Sequence, residues 1–385
     1  MKTVVVSGAL ANKYLNGGNA WTRLSWVLGF KQLGFDVYFI EEIDRQTCVD
    51  ADGHVTAFEN SVNVSYFKEV TEQFGLSNSA ALVCVTGNEI YGLTYAEVHE
   101  LAEAADLLIN IGGHLTLNSV KPRFRRKVYL DDDPGFTQFW HAAGNPGPRL
   151  ENHDFYFTIG ENIGDPTCVI PTAGISWRAT RPPVVLKQWP ISDSSDSNRF
   201  TTVATWRGPY GPIQYGQTTF GLKVHEFRKF IDLPQLTSQS FEIALNIHPD
   251  DAKDLDLLRG RGWQLVDPKV VAPDPISFRY YVQSSGAEFS VAQGVYVATQ
   301  SGWFSDRTVR YLASGRPALV QDTGFSRKYA VGEGLVSFRT VDEAIAGAAR
   351  ISLDYDTHCR AARAIAEEYF DSDKVLSKLI DQVDL

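Results

Sequence analysis

The sequence predicts an α/β protein of two doubly wound domains that face each other across a cleft, and three features of the chain support this. Its 385 residues exceed the roughly 100–200 residues of an ordinary domain. In the first half, apolar runs of about four to eight residues alternate with helix-like segments, a pattern typical of a parallel sheet buried on both faces. The alternation restarts near residue 200, beyond a stretch rich in Pro, Ser and Asp that is typical of a linker.

The first domain is expected over residues 1–180. Strands are predicted at TVVVSGAL, DVYFIEEI, ALVCVTG, DLLINIGG and VYLDDDPG, and helices near residues 20–33, 66–74 and 95–104. HDFYFTIGENIG and CVIPTAGISW continue the pattern less clearly. This alternation predicts a doubly wound sheet with helices on both faces.

A linker over residues 181–199 leads to the second domain, which is expected over residues 200–365. Its strands are predicted at FTTVATW, FEIALNIH, WQLVDP, EFSVAQGVYV, RPALVQD and GLVSF, with helices near residues 221–230, 250–259 and 306–313. Residues 366–385 predict a closing helix, for which a return to the first domain is one option. Two such units leave a cleft between the carboxyl ends of their sheets, where ligands of these folds usually bind.

Composition and charge argue against several classes of protein. The formal net charge of −10 disfavours non-specific electrostatic binding to the phosphate backbone of nucleic acid. The apolar N-terminal run is broken by Asn12 and Lys13, unlike a signal peptide, and no stretch approaches the ~20 apolar residues of a spanning helix. The four cysteines, at positions 48, 84, 168 and 359, form no Cys-x-x-Cys pair. We therefore expect a soluble cytoplasmic protein, monomeric or homodimeric, with reduced thiols and no nucleic-acid partner.

Residues 301–326 carry the most informative pattern. A strand is expected to end near Val297, and a loop with Ser301, Gly302 and Ser305 then leads into a helix. Free backbone N–H groups at such a helix start favour an anion. Ser305 is also a plain N-cap residue. Asp306 and Arg307, in the first turn, are candidates for ligand contact, with a capping charge and a solvated arginine as the alternatives.

The next residues complete a familiar order of elements. Ala313-Ser314-Gly315-Arg316-Pro317 forms a turn, a short strand follows, and Asp322-Thr323-Gly324-Phe325 forms a loop. This order resembles the donor-binding part of GT-B glycosyltransferases, which have two Rossmann-like domains, and a weaker similarity extends over residues 200–385. The resemblance implies that the loop around residues 301–306 holds the diphosphate and ribose of a nucleotide sugar such as a UDP-sugar. It also implies that the transferred sugar is contacted by Gln321, Asp322, Thr323, Gly324 and Phe325.

One departure from this family bears on stereochemistry. Many retaining members carry two glutamates eight residues apart in this region, whereas Asp306 and Ser314 have that spacing here. Inversion of the anomeric configuration is therefore the expected outcome.

Two further segments follow strands of the second domain. Arg207 and Gly208 lie in a Gly-containing turn directly after the first strand, where a guanidinium can bind a diphosphate bidentately. An ordinary surface turn is the alternative. His248 also follows a strand, and either contacts the nucleotide or caps the next helix.

In the first domain, Gly17, Gly18 and Asn19 lie between the first strand and the first helix. They do not form a dinucleotide-binding fingerprint. The resemblance to GT-B proteins implies that such a glycine loop lets the backbone approach the donor phosphates or the acceptor.

An inverting transferase needs a general base for the acceptor hydroxyl, and the candidates follow strands of the first domain. His114 follows two glycines, and Asp131, Asp132 and Asp133 end the next predicted strand. We predict that His114 and Asp133 act together as base and orienting group. The alternatives are a hydrogen-bonded loop histidine and a solvated carboxylate cluster. Glu161 is a further candidate for holding the acceptor.

The sequence thus predicts an inverting glycosyltransferase that uses a nucleotide-diphosphate sugar as co-substrate and an acceptor that it does not identify. No other cofactor and no metal site are predicted, because no cluster has the spacing of a dedicated metal cage. Two rivals stay open at this point, a nucleotide-sugar epimerase on the same fold and a non-catalytic nucleotide- or sugar-binding module.

Overall fold

Two parallel β-sheets of eight and six strands form the framework of the protein. The structure is a computed structural model that describes residues 1–192, 198–208 and 210–385. Residues 193–197 of the expected linker and Pro209 of the turn after Arg207 lie outside the described residues.

The first sheet has the strand order β4-β3-β2-β1-β5-β6-β7-β8, and only β4 runs antiparallel to its neighbour. The central strand is buried from Val4 to Ser7, which explains its unbroken apolar run. Its register pairs Val4 with Val37 on one side and with Leu107 on the other. The strands are β1 (Thr3–Ser7), β2 (Asp36–Ile43), β3 (Ala80–Cys84), β4 (Glu89–Gly92), β5 (Leu107–Ile111), β6 (Lys127–Asp131), β7 (Phe155–Thr158) and β8 (Trp177–Ala179).

Side-chain caps start three of the four helices that connect these strands. The side chain of Asn16 accepts a hydrogen bond from the backbone of Asn19, Ser61 caps the second helix, and Thr94 forms a capping box with Glu97. The helices are α1 (Gly17–Gln32), α2 (Val62–Gln73), α3 (Tyr95–Ala104) and α4 (Phe136–Ala142).

The second sheet has the order β13-β12-β9-β14-β15-β16 with every pairing parallel, and a small antiparallel hairpin stands apart from it. The sheet strands are β9 (Arg199–Thr205), β12 (Ser240–Asn246), β13 (Gln264–Val266), β14 (Ala287–Ser290), β15 (Ala318–Gln321) and β16 (Leu335–Phe338). The hairpin consists of β10 (Ile213–Tyr215) and β11 (Thr218–Phe220).

Ten α-helices of the described chain follow β9. They are α5 (Lys223–Phe227), α6 (Leu233–Leu236), α7 (Ala252–Gly260), α8 (Pro268–Val271), α9 (Pro275–Gln283), α10 (Gly294–Thr299), α11 (Asp306–Ala313), α12 (Val341–Leu353), α13 (Tyr355–Tyr369) and α14 (Ser372–Gln382). None of the helices within the described residues has the length and apolar character needed to cross a membrane.

One predicted element differs in type. The run EFSVAQGVYV predicts a strand that ends near Val297, whereas β14 ends at Ser290 and residues 294–299 form α10. Short apolar runs do not distinguish a strand from a buried helix by periodicity. The start of the helix packs tightly on another segment of the chain, because a β-carbon on Gly294 would lie only 2.5 Å from the carbonyl oxygen of Gly221.

The largest of four hydrophobic clusters in the described residues runs from the first sheet into the helices around the second sheet. Within it the rings of Trp21 and Trp189 lie 4.9 Å apart, and the indole N–H of Trp21 donates to the carbonyl of Pro275 at 2.7 Å. The last helix, α14, packs on α1, where Gln32 donates to Asp373 at 2.6 Å. The domain boundaries at residues 180, 200 and 365 stay predictions.

Candidate functional site

The carboxyl ends of the two parallel sheets meet at a closed cleft. Residues that directly follow β5 and β6 approach α10 and α11, which follow β14. Parallel strands all place their carboxyl ends at one edge of a sheet, so loops distant in sequence converge there.

Asp131, at the end of β6, has a structural role. Its carboxylate accepts hydrogen bonds from Thr137 at 2.7 Å, Gln138 at 2.7 Å and Thr158 at 2.6 Å. Burial raises its pKa to about 6, against the lowering effect of these three donors. Because its acceptor positions are used, this carboxylate fixes the start of α4.

Asp132 faces a cation on α1. Arg23 lies 3.4 Å from its carboxylate, and burial raises the pKa of Asp132 while Arg23 lowers it. A β-carbon on Gly112 would lie 3.5 Å from Oδ1 of Asp132 and 3.4 Å from Cδ2 of His114. Asp132 and the imidazole therefore flank the same glycine.

Asp133 meets the opposite domain. The hydroxyl of Tyr296, on α10, donates to its Oδ1 at 3.0 Å. Burial, Asp132 and Asp131 raise the pKa of Asp133 to about 7, whereas the Tyr296 bond lowers it. Burial, followed by the nearby charges of Asp133 and Asp132, raises the pKa of Tyr210 to about 12.

His114 lies in a turn that two other side chains hold in place. Asn110 accepts from the backbone of Leu115 at 2.8 Å, and Glu42 accepts from the backbone of Thr116 at 2.6 Å. The ring of His114 makes no hydrogen bond within the described part of the chain. Burial and then the cations of Arg23, Arg149 and Lys13 lower its pKa to about 3, so the imidazole is neutral at pH 7.

The predicted pair of His114 and Asp133 is therefore not in direct contact in this structure. Asp132 is the carboxylate beside His114, and Asp133 is bonded to Tyr296 instead. All three groups follow neighbouring strands, β5 and β6, so they line the same part of the cleft.

Asp306, in the first turn of α11, links the two domains. It accepts a hydrogen bond from the hydroxyl of Thr22 on α1 and forms an ion pair with Arg310 at 2.6 Å. Burial alone raises its pKa, but Arg310, Thr22 and Arg307 outweigh that effect and lower it. Asp306 is thus ionised and already paired. Ser305 occupies the N-cap of α11 without a side-chain cap bond, which leaves the first amides of the helix without that acceptor.

Two cations lie beside the carboxyl ends of β9 and β14. Arg307 donates to Glu288 at 2.6 Å, to the carbonyl of Val203 at 2.9 Å and to Ser290 at 2.8 Å. Lys223, at the start of α5, lies close to this pair, and burial followed by repulsion from Arg307 lowers its pKa to about 7. No local sequence signal marks Lys223, which is the first residue of a helix and follows no strand directly.

The loop from Ser301 to Gly302 closes against the first domain. The carbonyl of Ser301 accepts from the backbone of Asn162 at 3.0 Å, and a β-carbon on Gly302 would lie 2.8 Å from the Asn162 side chain. The Asn162 amide also donates to the carbonyls of Gln300 at 2.9 Å and Gly324 at 3.2 Å. Asn162, which no local sequence signal marks, thus fills the approach to this loop.

The loop after β15 is bonded mostly within its own domain. Gln321 donates to Glu226 at 2.8 Å, and Asp322 forms an ion pair with Arg339 at 2.5 Å. Thr323 donates to the carbonyl of Trp303, and Gly324 adopts φ of +93°. Phe325 is fully buried, 5.0 Å from the ring of Phe304. Phe325 therefore acts as a core residue in this structure, and Gln321 faces inward beneath the loop.

Arg207 and His248 lie toward the surface. Arg207 is half exposed and donates to Asp251 through Nε at 2.9 Å. Gly208 has φ of +84°, and a β-carbon there would lie 3.0 Å from the amide nitrogen of Gln293. The ring of His248 is exposed and accepts from the backbone of Asp250 at 3.2 Å, so it caps the following turn.

The glycine loop of the first domain serves close helix packing. A β-carbon on Gly17 would lie 2.0 Å from the carbonyl oxygen of Asp274, and one on Gly18 would lie 3.0 Å from the ring of Phe278. Asn19 donates to the carbonyl of Ala9 at 2.8 Å. The glycines therefore let α1 approach α9 across the domain interface.

Glu161 is held by two groups. Nε of Arg181 donates to its carboxylate at 3.1 Å, and the hydroxyl of Tyr329 donates to it from the second domain. Arg181 also lies 5.0 Å over the ring of Tyr329. In this structure, Glu161 links the two domains.

One group of side chains has ligand atoms close enough to hold a metal ion among the described residues, namely Asp50, Asp52 and His54. It lies on a surface turn, where Asp50 accepts backbone hydrogen bonds from Asp52 at 3.0 Å and His54 at 2.9 Å. The three side chains are therefore close together because the hydrogen bonds of a surface turn hold them there.

Known structures share this architecture over the whole chain. An alpha-glucosyltransferase in complex with UDP and a 13-mer DNA containing an HMU base is similar over 100% of this chain and 99% of that chain, with a TM-score of 0.61 and 13% identity. HepE from Anabaena, in complex with UDP and glucose, is similar over 100% of both chains, with a TM-score of 0.59 and 11% identity. Sucrose-phosphate synthase from Thermosynechococcus elongatus is similar over 100% of this chain and 99% of that chain, with a TM-score of 0.55 and 11% identity.

These matches show that the chain has the two-domain GT-B fold, and the predicted fold class is confirmed. Sequence identities of 11–13% show a shared fold and no more than that. No protein-family model matches the chain, and a search of curated proteins finds no match.

Proposed function

We propose that this protein is a glycosyltransferase that moves a sugar from a nucleotide-diphosphate donor to an acceptor hydroxyl, with inversion and without a metal ion. The proposal is supported by two kinds of group that face each other across the cleft, proton acceptors on one side and an anion-binding site on the other. Carboxylates and a neutral imidazole follow β5 and β6 on one side, and cations with an uncapped helix start lie on the other. A proton acceptor facing an anion site is what sugar transfer to an alcohol requires.

The donor site is assigned to the second domain. The first amides of α11, Arg307 and Lys223 converge on the carboxyl ends of β9 and β14. Positive groups there stabilise the negative charge that grows on the departing nucleoside diphosphate. We expect them to replace a metal ion, with the loop of Ser301 and Gly302 beside the diphosphate and the loop residues Asp322, Thr323 and Gly324 nearer to the sugar. UDP is the first nucleotide to test, because solved structures with the same fold contain it.

The base is assigned to Asp133. Its pKa of about 7 lets the carboxylate be ionised at neutral pH and still bind a proton usefully, which a general base needs. The pKa of about 3 of His114 makes the imidazole a weak proton acceptor. His114 is therefore assigned to orient the acceptor hydroxyl through a hydrogen bond. Within the pair that the sequence predicts, Asp133 is thus the base and His114 the orienting group.

The same arrangement supports inversion. Direct displacement needs one base and no enzyme nucleophile on the donor side. Asp306, in the first turn of α11, is tied to Arg310 and Thr22. Proton NMR of the first-formed product tests this point, because the anomeric coupling constant distinguishes the two outcomes. A product with the donor's configuration would overturn inversion and leave the transferase proposal standing.

The decisive experiment is a thermal-shift screen of nucleotides and nucleotide sugars, followed by turnover assays with the best donor. A cleft that binds its donor gains stability with donor concentration. We expect donor consumption to require an added acceptor and to continue in EDTA. Epimerisation of the donor without an acceptor would support an epimerase. Tight binding with no turnover across an acceptor panel would support a binding module.

A further inference from the structure

Three cations surround the His114 turn on the acceptor side of the cleft. A β-carbon on Gly113 would lie 3.1 Å from Cβ of Arg149, and one on Gly8 would lie 3.2 Å from Nε of Arg23. Lys13, in the loop after β1, acts with both arginines to lower the pKa of His114. These side chains come from three separate segments of the first domain.

The cations are poorly balanced by the protein itself. Lys13 and Arg149 are exposed, and neither side chain makes a hydrogen bond or ion pair within the described residues. Arg23 is only 8% exposed, yet its buried Nε has no partner. Its one ion pair, to Asp132, is 3.4 Å long. A buried donor without an acceptor costs free energy, which a bound acceptor atom would recover.

The nearby carboxylates are largely engaged elsewhere. Glu42 accepts from the backbone of Thr116 at 2.6 Å, from the hydroxyl of the same residue at 2.7 Å and from the backbone of Leu117 at 2.5 Å. Asp133 accepts from Tyr296, and Asp132 is left to face Arg23. Three neighbouring cations that share a single long ion pair are notable in a chain with a net charge of −10.

We propose that Arg23, Arg149 and Lys13 form an anion subsite, so that the acceptor carries a phosphate or carboxylate group close to its reacting hydroxyl. The proposal rests on the proposed function, which makes this side of the cleft the acceptor side. Arginine forks bind both anions bidentately. Holding the anion there orients the acceptor hydroxyl toward Asp133, and the cations steer an anionic acceptor into the cleft.

The test uses three probes that share one sugar ring: glucose 6-phosphate, glucuronate and glucose. Calorimetry measures their affinity for the intact protein at fixed ionic strength, with and without saturating UDP. We expect at least one charged probe to bind tenfold or more tightly than glucose. A preference for glucose 6-phosphate identifies a phosphoryl group as the natural anion, and a preference for glucuronate identifies a carboxylate.

A double variant assigns the effect to this cluster. Lys13→Gln with Arg149→Asn removes two exposed charges, and Asn suits the left-handed φ of +54° at position 149. We expect tenfold weaker binding of the charged probe and unchanged binding of UDP. Lys253→Gln with Lys269→Gln is the control, because it removes the same charge from exposed sites in the second domain.

Three results would overturn the subsite: equal affinity for charged and neutral probes, equal effects of the two double variants, or displacement of UDP by the charged probe. The last result would move the anion to the donor side. If UDP and other nucleotides fail to bind at all, the proposed function fails. The titrations without nucleotide still report on the subsite in that case, so the two failures are distinguishable.

Discussion

The hydroxyl of Tyr296 donates a hydrogen bond to Oδ1 of Asp133 at 3.0 Å across the domain interface. The tyrosine ring is held in turn by Trp303, stacked at a centroid distance of 4.5 Å. Asp133 belongs to the first domain and Tyr296 to α10, which connects β14 to α11 on the side of the second sheet. Closure of the cleft therefore orients the proposed base, and opening would release it.

The first prediction removes this bond. Tyr296→Phe keeps the stacked ring but deletes the donor that lowers the pKa of Asp133, so that pKa should rise. The acidic limb of the kcat profile should move to higher pH, and kcat at pH 7 should fall by about tenfold, since a hydrogen bond to a charged group contributes about 1.5–3 kcal/mol. Asp131, Asp132, Arg23, Tyr210 and Tyr129 also face this carboxylate and stay in place.

Tyr355→Phe is the matched control, because that hydroxyl donates to the carbonyl of Gly286 at 2.6 Å, remote from the carboxylates. Equal pH profiles for Tyr296→Phe and the wild type would disprove the positioning role.

The second prediction concerns the base itself. Asp133→Asn should lower kcat by about 10²–10⁴-fold, the usual contribution of a general base, with donor affinity nearly unchanged. His114→Ala should also lower turnover, but by less, since the imidazole only orients the hydroxyl. Steady-state kinetics and calorimetry with the donor separate the two effects. A larger loss in His114→Ala than in Asp133→Asn would return the role of base to the histidine.

The third prediction links the same carboxylate to stability. Folding raises the pKa of Asp133 from its ordinary value near 4 to about 7, so the folded state binds the proton more tightly than the unfolded state. The stability of the wild type should therefore fall as pH rises from about 4 to 7. Asp133→Asn removes this term and should stabilise the protein by about 1–3 kcal/mol at pH 8. Urea midpoints at pH 5 and pH 8 measure it; a benefit that is the same at both pH values would contradict the assignment.

The fourth prediction compares cations on the donor side. Lys223→Met should weaken nucleotide-diphosphate binding by at least about tenfold, or ~1.4 kcal/mol, because the variant loses an amine beside Arg307 that a bound diphosphate would hold protonated. Arg207→Ala should also weaken binding, as the sequence predicts, but less, since Arg207 is half exposed and already paired with Asp251. Lys253→Met serves as the exposed control. Calorimetry with UDP decides the order, and an unchanged dissociation constant in Lys223→Met would remove that residue from the donor site.

The fifth prediction tests the role of the first glycine. Gly17→Ala adds a β-carbon that would lie 2.0 Å from a backbone oxygen of the opposite domain, so α1 and α9 must move apart. We expect a loss of about 1–3 kcal/mol of unfolding free energy, as for other overpacked contacts. Gly260→Ala is the control, because the space around that glycine is open. Thermal unfolding at matched concentrations would reveal the contrast, and equal stability of the two variants would contradict it.

The structure places the residues chosen from the sequence in different surroundings. Asp133, His114 and Arg307 lie at the carboxyl ends of strands, where the alternating pattern predicts a ligand-binding cleft. His248 and Gly17 also follow strands, yet one caps a surface turn and the other packs against a helix. A position after a strand predicts nearness to the cleft, but the direction of a side chain depends on what packs around it.

The sequence by itself determined the two doubly wound sheets, because buried parallel strands require unbroken apolar runs and the helices between them leave a local pattern. It also determined that carboxylates and glycines follow β5 and β6. Only the tertiary structure decided that Asp131 is saturated by its own domain, that Asp133 meets Tyr296, and that Lys223 lies beside Arg307. These partners come from segments far apart in the chain, and no local periodicity encodes which of them meet when the two sheets close on each other.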